Sequence, residues 1–207
     1  VTPEQIEALF NREGGEFLFA RWGRPIAPVV FGVEDETLSV VKGAFEAVAA
    51  LSGHKLAETD PELGSNCMVF FLRDWTELRQ VPGMDRLIPD LGPLVERLTA
   101  ADASQYRAFR FDGGGAIKAA FVFLRMTGEM REVPAEALAL SQVVQTFLLW
   151  SERAFRDSSP LALAGGQTIL RPGIAGLIRA AYDPVLPPVA RDPSHALRLY
   201  ARMEAAQ

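Results

Sequence analysis

The chain has 207 residues, 49% of them hydrophobic, enough to bury one substantial core. Its 21 basic residues are scattered and outweighed by 26 acidic ones, a formal charge of -5 that gives no footing for nucleic acid. No apolar run approaches the roughly 18 residues of a membrane-spanning helix.

Thr2, Pro3 and Gln5 form a helix start, with a hydroxyl cap, a first-turn proline and an amide able to reach back. The helix is expected to run to about Asn11 and end near Gly14-Gly15. Phe17 to Trp22 and Ile26 to Gly32 read as strands, Pro25 and Pro28 pointing to an edge or a bulge. Asp35 to Leu51 has helical spacing through Leu38, Val41, Phe45, Val48 and Leu51, with Gly53 placed for a left-handed cap. His54 to Thr59 reads as a short edge strand, and the evenly apolar Asn66 to Arg73 as a central strand buried on both faces.

Trp75 to Thr99 is helical but broken by Pro82-Gly83, Pro89 and Pro93, so two or three short helices are expected. Tyr106 to Phe111 and Ala116 to Met126 form strands around the hairpin tip Asp112-Gly113-Gly114-Gly115. A long helix is expected from Pro134 to Arg156. At about 100° per residue, Leu140, Val143, Val144, Phe147, Leu148, Trp150 and Ala154 fill one apolar arc. Ser141, Gln142, Gln145, Thr146, Glu152, Arg153 and Arg156 fill the opposite one. Asp157 to Arg171 reads as irregular, Pro172 to Tyr182 as a helix, and Asp192 as the cap of a last helix packing through Leu197, Tyr200 and Met203.

Arg21-Trp22 with Pro25 and Gly32, Leu51-Ser52-Gly53, Asn66 to Leu72, and Gly115-Ala116-Ile117 with Ala120 occur in consistent order. They are followed by the long helix with Gln145, then Asp157-Ser158, then Tyr182-Asp183-Pro184 with Leu186. Together these runs, from Glu16 to about Val189, resemble an uncharacterised proteobacterial domain family of mostly exported proteins. That family looks like a degenerate branch of the zincin metallopeptidases, of gluzincin type. The resemblance implies a zincin-like active-site helix in which an E-E-L-T-Q-like segment replaces H-E-x-x-H. The corresponding positions here are Ser141, Gln142, Val143, Val144 and Gln145. A catalytic zinc needs basic ligands, usually three from protein plus a water. Ser141 and Gln145 are neutral, and Gln142 cannot act as the general base a glutamate would be. No catalytic residue, metal ligand or cofactor is therefore assigned.

Other constellations give little chemistry. Cys67, the only cysteine, lies in an apolar run and reads as a buried inert thiol. His54 and His195 fall off the long helix and read as exposed or hydrogen-bonded. Gly113-Gly114-Gly115 before Lys118 lacks the spacing of a phosphate loop. No G-x-S-x-G elbow occurs. Glu152 and Asp157 could form an acid-base pair across the helix end, although Glu152 with Arg156 has the spacing of a surface ion pair. Tyr182 matches the family, and also reads as a packed ring with a bonded hydroxyl.

The expected fold is α+β. A small twisted mixed sheet carries helices on one face, the long helix runs beneath the Ala116 to Met126 strand, and helices close the C-terminus. It is read as one zincin-like domain over 1–207, with a sheet-containing part (1–133) and a helical part (134–207). In an active zincin that strand would border the cleft and hold extended substrate backbone. The leading functional expectation is a non-catalytic binder of a peptide or cell-wall fragment, using Ser141, Gln142, Gln145, Glu152, Asp157 and Tyr182. The alternatives are a metal-independent hydrolase using Glu152 or Asp157, and an assembly protein whose cleft is filled by Leu149 and Phe155. The absent initiator methionine fits a processed or trimmed chain, and with the resemblance suggests a periplasmic or otherwise exported protein; a cytoplasmic location and the oligomeric state stay open. An open polar groove over Gln142 and Gln145 separates the binding and hydrolase readings from the assembly reading.

Overall fold

A computed structural model describes residues 1–206. Helix α1 (Pro3–Ala8) starts on the expected box, the Thr2 hydroxyl accepting from the Gln5 N–H and the Gln5 amide oxygen from the Thr2 N–H. The short strand β1 (Phe19–Ala20) leads to β2 (Pro28–Phe31), an edge strand that begins at its proline, where no ladder donor is missed. Helix α2 (Asp35–Ser52) buries Val41, Phe45 and Val48 and stops at Gly53, whose φ of 69° is the left-handed cap. His54 to Thr59 makes only a single bridge, Ile26 to Leu56, in place of the expected strand.

Strand β3 (Cys67–Leu72) is followed by a 3-10 turn (Trp75–Gln80), α3 (Met84–Leu87) and α4 (Leu91–Ala100). Pro93 does not interrupt α4; it sits in the first turn, where its missing N–H has no helical partner to lose. Strands β4 (Gln105–Phe111) and β5 (Ile117–Arg125) form the hairpin, and Asp112 Oδ1 ties its tip by accepting from the N–H groups of Gly114 and Ala116. Helix α5 (Ala135–Phe147) comes next. Asp157 to Arg171, expected to be irregular, folds into a second hairpin of β6 (Leu161–Ala164) and β7 (Gln167–Leu170). Then come α6 (Pro172–Ala181), β8 (Val189–Ala190), which pairs with β1, and α7 (Ser194–Ala205).

The fold is α+β, built on a four-stranded mixed sheet of order β2-β3-β5-β4. Strands β2, β3 and β5 are parallel, and β4 is the antiparallel edge. Because β3 and β5 are apolar on both sides, both faces must be covered. Cys67 and Val69 with Ala120, Val122 and Leu124 pack against α2, α5 and the terminal helices. Phe70 and Leu72 with Phe121 and Phe123 pack against Trp75, Met84, Leu94, Val95 and Leu98. The helices thus lie on two faces, where one was expected. The first of these clusters draws on residues from Ile6 to Met203, so the two expected parts of the chain share one core.

The helix expected over 134–156 ends at Phe147. Leu148 is extended, with φ -131° and ψ 156°, and bridges Arg21. No glycine or proline marks this stop. Tertiary donors impose it: Trp22 Nε1 donates to Thr146 O at 2.8 Å, Trp150 Nε1 to Val144 O at 3.0 Å, and Tyr182 Oη to Phe147 O at 2.6 Å. They satisfy carbonyls that a helix end leaves unpaired. Helix α7 starts at Ser194 with Pro193 at its cap position, so Asp192, expected as the cap, lies just outside and accepts from the Ser194 N–H; Leu197 is exposed, and His195, Ala196, Leu199 and Met203 face inward.

Candidate functional site

The polar arc of α5 is divided by the sheet above it. Thr146 is buried, its hydroxyl bonded back to Val143 O, and Gln142 is buried under β4. Ser141 and Gln145 stay half-exposed and meet four residues apart, Gln145 Nε2 donating to Ser141 Oγ at 3.1 Å. Gln142 Nε2 donates to Gln105 Oε1 at 3.0 Å, and Gln142 Oε1 accepts from Arg107 Nη2, which also donates to Gln105 Oε1 at 2.9 Å. The strand that stands over these residues is β4. Strand β5, expected there, is paired on both sides with β3 and β4 and has no free backbone edge.

An open groove of about 640 Å³ lies between β4 and the segment after α5, bordered by Arg107, Phe109, Leu149, Trp150 and Glu152. A second lobe of about 530 Å³ continues between α5 and the β6–β7 hairpin, past Ser141, Gln142, Leu161 and Leu163. Gln105, Gln145 and Phe155 border both lobes. Leu149 and Phe155 wall the groove and do not fill it. Another hollow, of about 710 Å³, lies against α6 and α7 and contains none of the candidates except the neighbourhood of Asp183.

Phase in the β4–β5 ladder decides what the groove offers. Arg125 N–H donates to Ser104 O, so in an antiparallel pair the alternate residues Gln105, Arg107 and Phe109 turn their N–H and C=O groups away from β5. The N–H groups of all three and the C=O groups of Gln105 and Arg107 form the free edge along the groove, while Phe109 O accepts from Arg110 Nη1 at 3.1 Å.

Electrostatics is set by arginines. Arg12 spans the rim, donating to Trp150 O at 2.8 Å, Leu149 O at 3.0 Å and Glu152 Oε1 at 3.3 Å. Burial pushes the Glu152 carboxyl upward, but its own backbone N–H and Arg12 outweigh this and hold it below the ordinary glutamate range. Such a group stays ionised and is a poor acid. Arg156 pairs with Glu13, not with Glu152, because the helix that would have set them one turn apart has already ended. Asp157 is exposed and borders neither lobe.

Tyr182 is closed to a ligand. It is buried in the core, its hydroxyl bonded to Phe147 O and its ring beneath Arg21, and burial raises its pKa. His54 Nε2 lies 2.9 Å from Arg24 O, and burial lowers its pKa. His195 is not exposed, both its ring nitrogens are buried without a partner among the described residues, and the ring sits 4.5 Å from that of Phe19. Its pKa is pushed down to about 4, first by burial and then by Arg198. Burial pushes the Cys67 thiol up to about 12, consistent with an inert side chain.

The positions that the resemblance assigns to zinc ligands do not have the chemistry of a zinc site. Ser141 and Gln145 bond each other and Gln142 is committed to β4, which leaves neutral oxygens and amides where basic ligands are needed. Among the described residues no cluster of three or more His, Cys, Asp or Glu could hold a metal. Sequence reasoning missed Gln105, Arg107 and Arg12 as groove residues. The signal for the first two was Gln105 and Arg107 alternating with Tyr106 and Ala108 on one strand; for the hairpin wall it was Gly165-Gly166 between two apolar runs. No family model matches the chain, and no curated protein or solved structure matches it significantly.

Proposed function

We propose that this chain is a zinc-less, metallopeptidase-like binding protein whose groove holds an extended peptide, free or carried on a cell-wall fragment. The observation that carries the reading is the free edge of β4 standing over Ser141, Gln142 and Gln145 along an open groove. An exposed strand edge binds extended backbone through its unpaired N–H and C=O groups, and pockets beside it take alternate side chains. The apolar walls from Phe109, Phe155 and Leu161 suit such pockets. With neutral groups at Ser141, Gln142 and Gln145, binding is what the site retains of the metallopeptidase plan. An exported location accompanies this reading through the family resemblance.

Hydrogen exchange with extended peptides and peptidoglycan stem peptides tests it. Binding slows exchange at the amides of Gln105, Arg107 and Phe109, while the β3–β5 interior stays unchanged. Replacing Gln105 by Pro removes one outward donor at the start of an edge strand, a place that tolerates proline, and lowers affinity more than Gln105→Ala. Tight binding without protection along β4 rejects the reading.

A further inference from the structure

Among the described residues Arg107 has no countercharge. Its Nη2 donates to the neutral amides of Gln105 and Gln142, its Nε is buried and bonded to nothing, and Nη1 makes no hydrogen bond to any described residue. No described carboxylate lies within ion-pair distance, although the other two arginines at the groove are paired, Arg12 with Glu152 and Arg156 with Glu13. The charged lining of the groove is three arginines against one glutamate, on a protein whose net charge is -5. A partly buried charge held by amides alone is costly unless something completes its coordination.

From this geometry we infer that the groove is selective for a carboxylate, which a bound peptide presents to the free Nη1 of Arg107. Nη1, which is not buried as Nε is and makes no bond to a described residue, can donate a charge-assisted hydrogen bond to a carboxylate oxygen. Gln142 and Gln105 hold Nη2, so the plane that carries Nη1 is oriented before the ligand arrives. Burial has already moved Arg107 down to about 10, and a seated carboxylate would favour the charged form against that shift. The inference rests on the groove being a peptide site and adds the chemistry of its occupant: an acidic side chain or a free C-terminus.

Two measurements separate the inference from the reading beneath it. In the first, fluorescent Thr/Val-rich peptides that differ only in a central Glu, Gln or Lys, and a pair with free or amidated C-termini, are titrated by anisotropy. The Glu or free-acid peptide binds about tenfold tighter than its neutral twin, the scale of one charged hydrogen bond. Arg107→Met abolishes that preference, and Arg107→Lys keeps part of it. Whether Glu or the free C-terminus is preferred identifies the source of the carboxylate. In the second, the Arg107 Nε–Hε resonance is followed with glutarate against glutaramide. A shift with glutarate alone, while no peptide binds, keeps the carboxylate site and rejects the extended-peptide reading. Equal binding of the Glu, Gln and Lys peptides, with no response to glutarate, overturns the inference while leaving the groove a peptide site.

Discussion

Tyr182 Oη donates to Phe147 O across 35 residues of sequence at 2.6 Å, and both groups are buried. The phenol thereby closes the last turn of α5 beside the indole donors of Trp22 and Trp150. Tyr182→Phe keeps the ring and its contacts with His54 and Phe147 but leaves the Phe147 carbonyl without its donor. The expected cost is about 1–3 kcal/mol in urea denaturation, the range for a buried polar group left unsatisfied. A loss of only a few tenths would mean that water or another donor reaches the carbonyl.

The same contact shows where the sequence was legible and where it was not. Capping at Thr2 and Gln5, the left-handed stop at Gly53 and the Asp112 hairpin depend on neighbours a few residues away, so their signals are local and could be read. The doubly buried β3 showed itself in composition alone. The end of α5 could not be read, because Leu148, Trp150 and Ala154 continue its apolar period and the groups that stop it come from the side chains of Trp22, Trp150 and Tyr182. The error spread to the site: Glu152 and Arg156 lost their helical pairing, and the groove wall became an irregular segment held by Arg12. Assigning β5 to the cleft failed for a related reason, since which hairpin strand becomes the edge depends on β3 choosing β5 as its parallel neighbour.

Gly32 and Gly53 both have positive φ, 81° and 69°, but they meet different surroundings. A Cβ on Gly53 would meet nothing within 4 Å, whereas one on Gly32 would lie 2.2 Å from the backbone oxygen of Phe71. Gly53→Ala is expected to cost about 1 kcal/mol, the strain of a left-handed alanine. Gly32→Ala should cost about 3 kcal/mol or more, because backbone on β3 must also move. Thermal melts of the two variants check the ranking, and equal losses would show that β2 can shift away from Phe71.

His195 ties stability to pH. In the folded chain it stays neutral down to about pH 4, whereas an ordinary histidine in the unfolded chain protonates near 6.5. Its contribution is therefore fully present above 6.5 and is lost as pH falls from 6.5 toward 4, at up to about 1.4 kcal/mol per pH unit. Below about 4 both states are protonated and the slope from this residue vanishes. His195→Met removes the titration while keeping an apolar body beside Phe19. Urea melts across this range should show a gap between wild type and variant that changes with pH; parallel profiles would exclude the coupling.

Arg107 supplies a prediction about stability that runs against ordinary experience with buried side chains. Truncating a core residue usually destabilises, but here a guanidinium without a carboxylate is exchanged for an apolar stem in Arg107→Met. Gln142 keeps its own bond to Gln105, so no amide is abandoned completely. Removing the uncompensated charge should leave unfolding free energy unchanged or raise it by about 1 kcal/mol, within the range for replacing buried charge by packed apolar groups. Stabilisation in the empty protein, together with loss of carboxylate preference, would mark Arg107 as a group maintained for a ligand at the expense of the fold. A loss of about 2 kcal/mol or more would instead make it a structural clamp between β4 and α5, and its missing countercharge would then need another explanation.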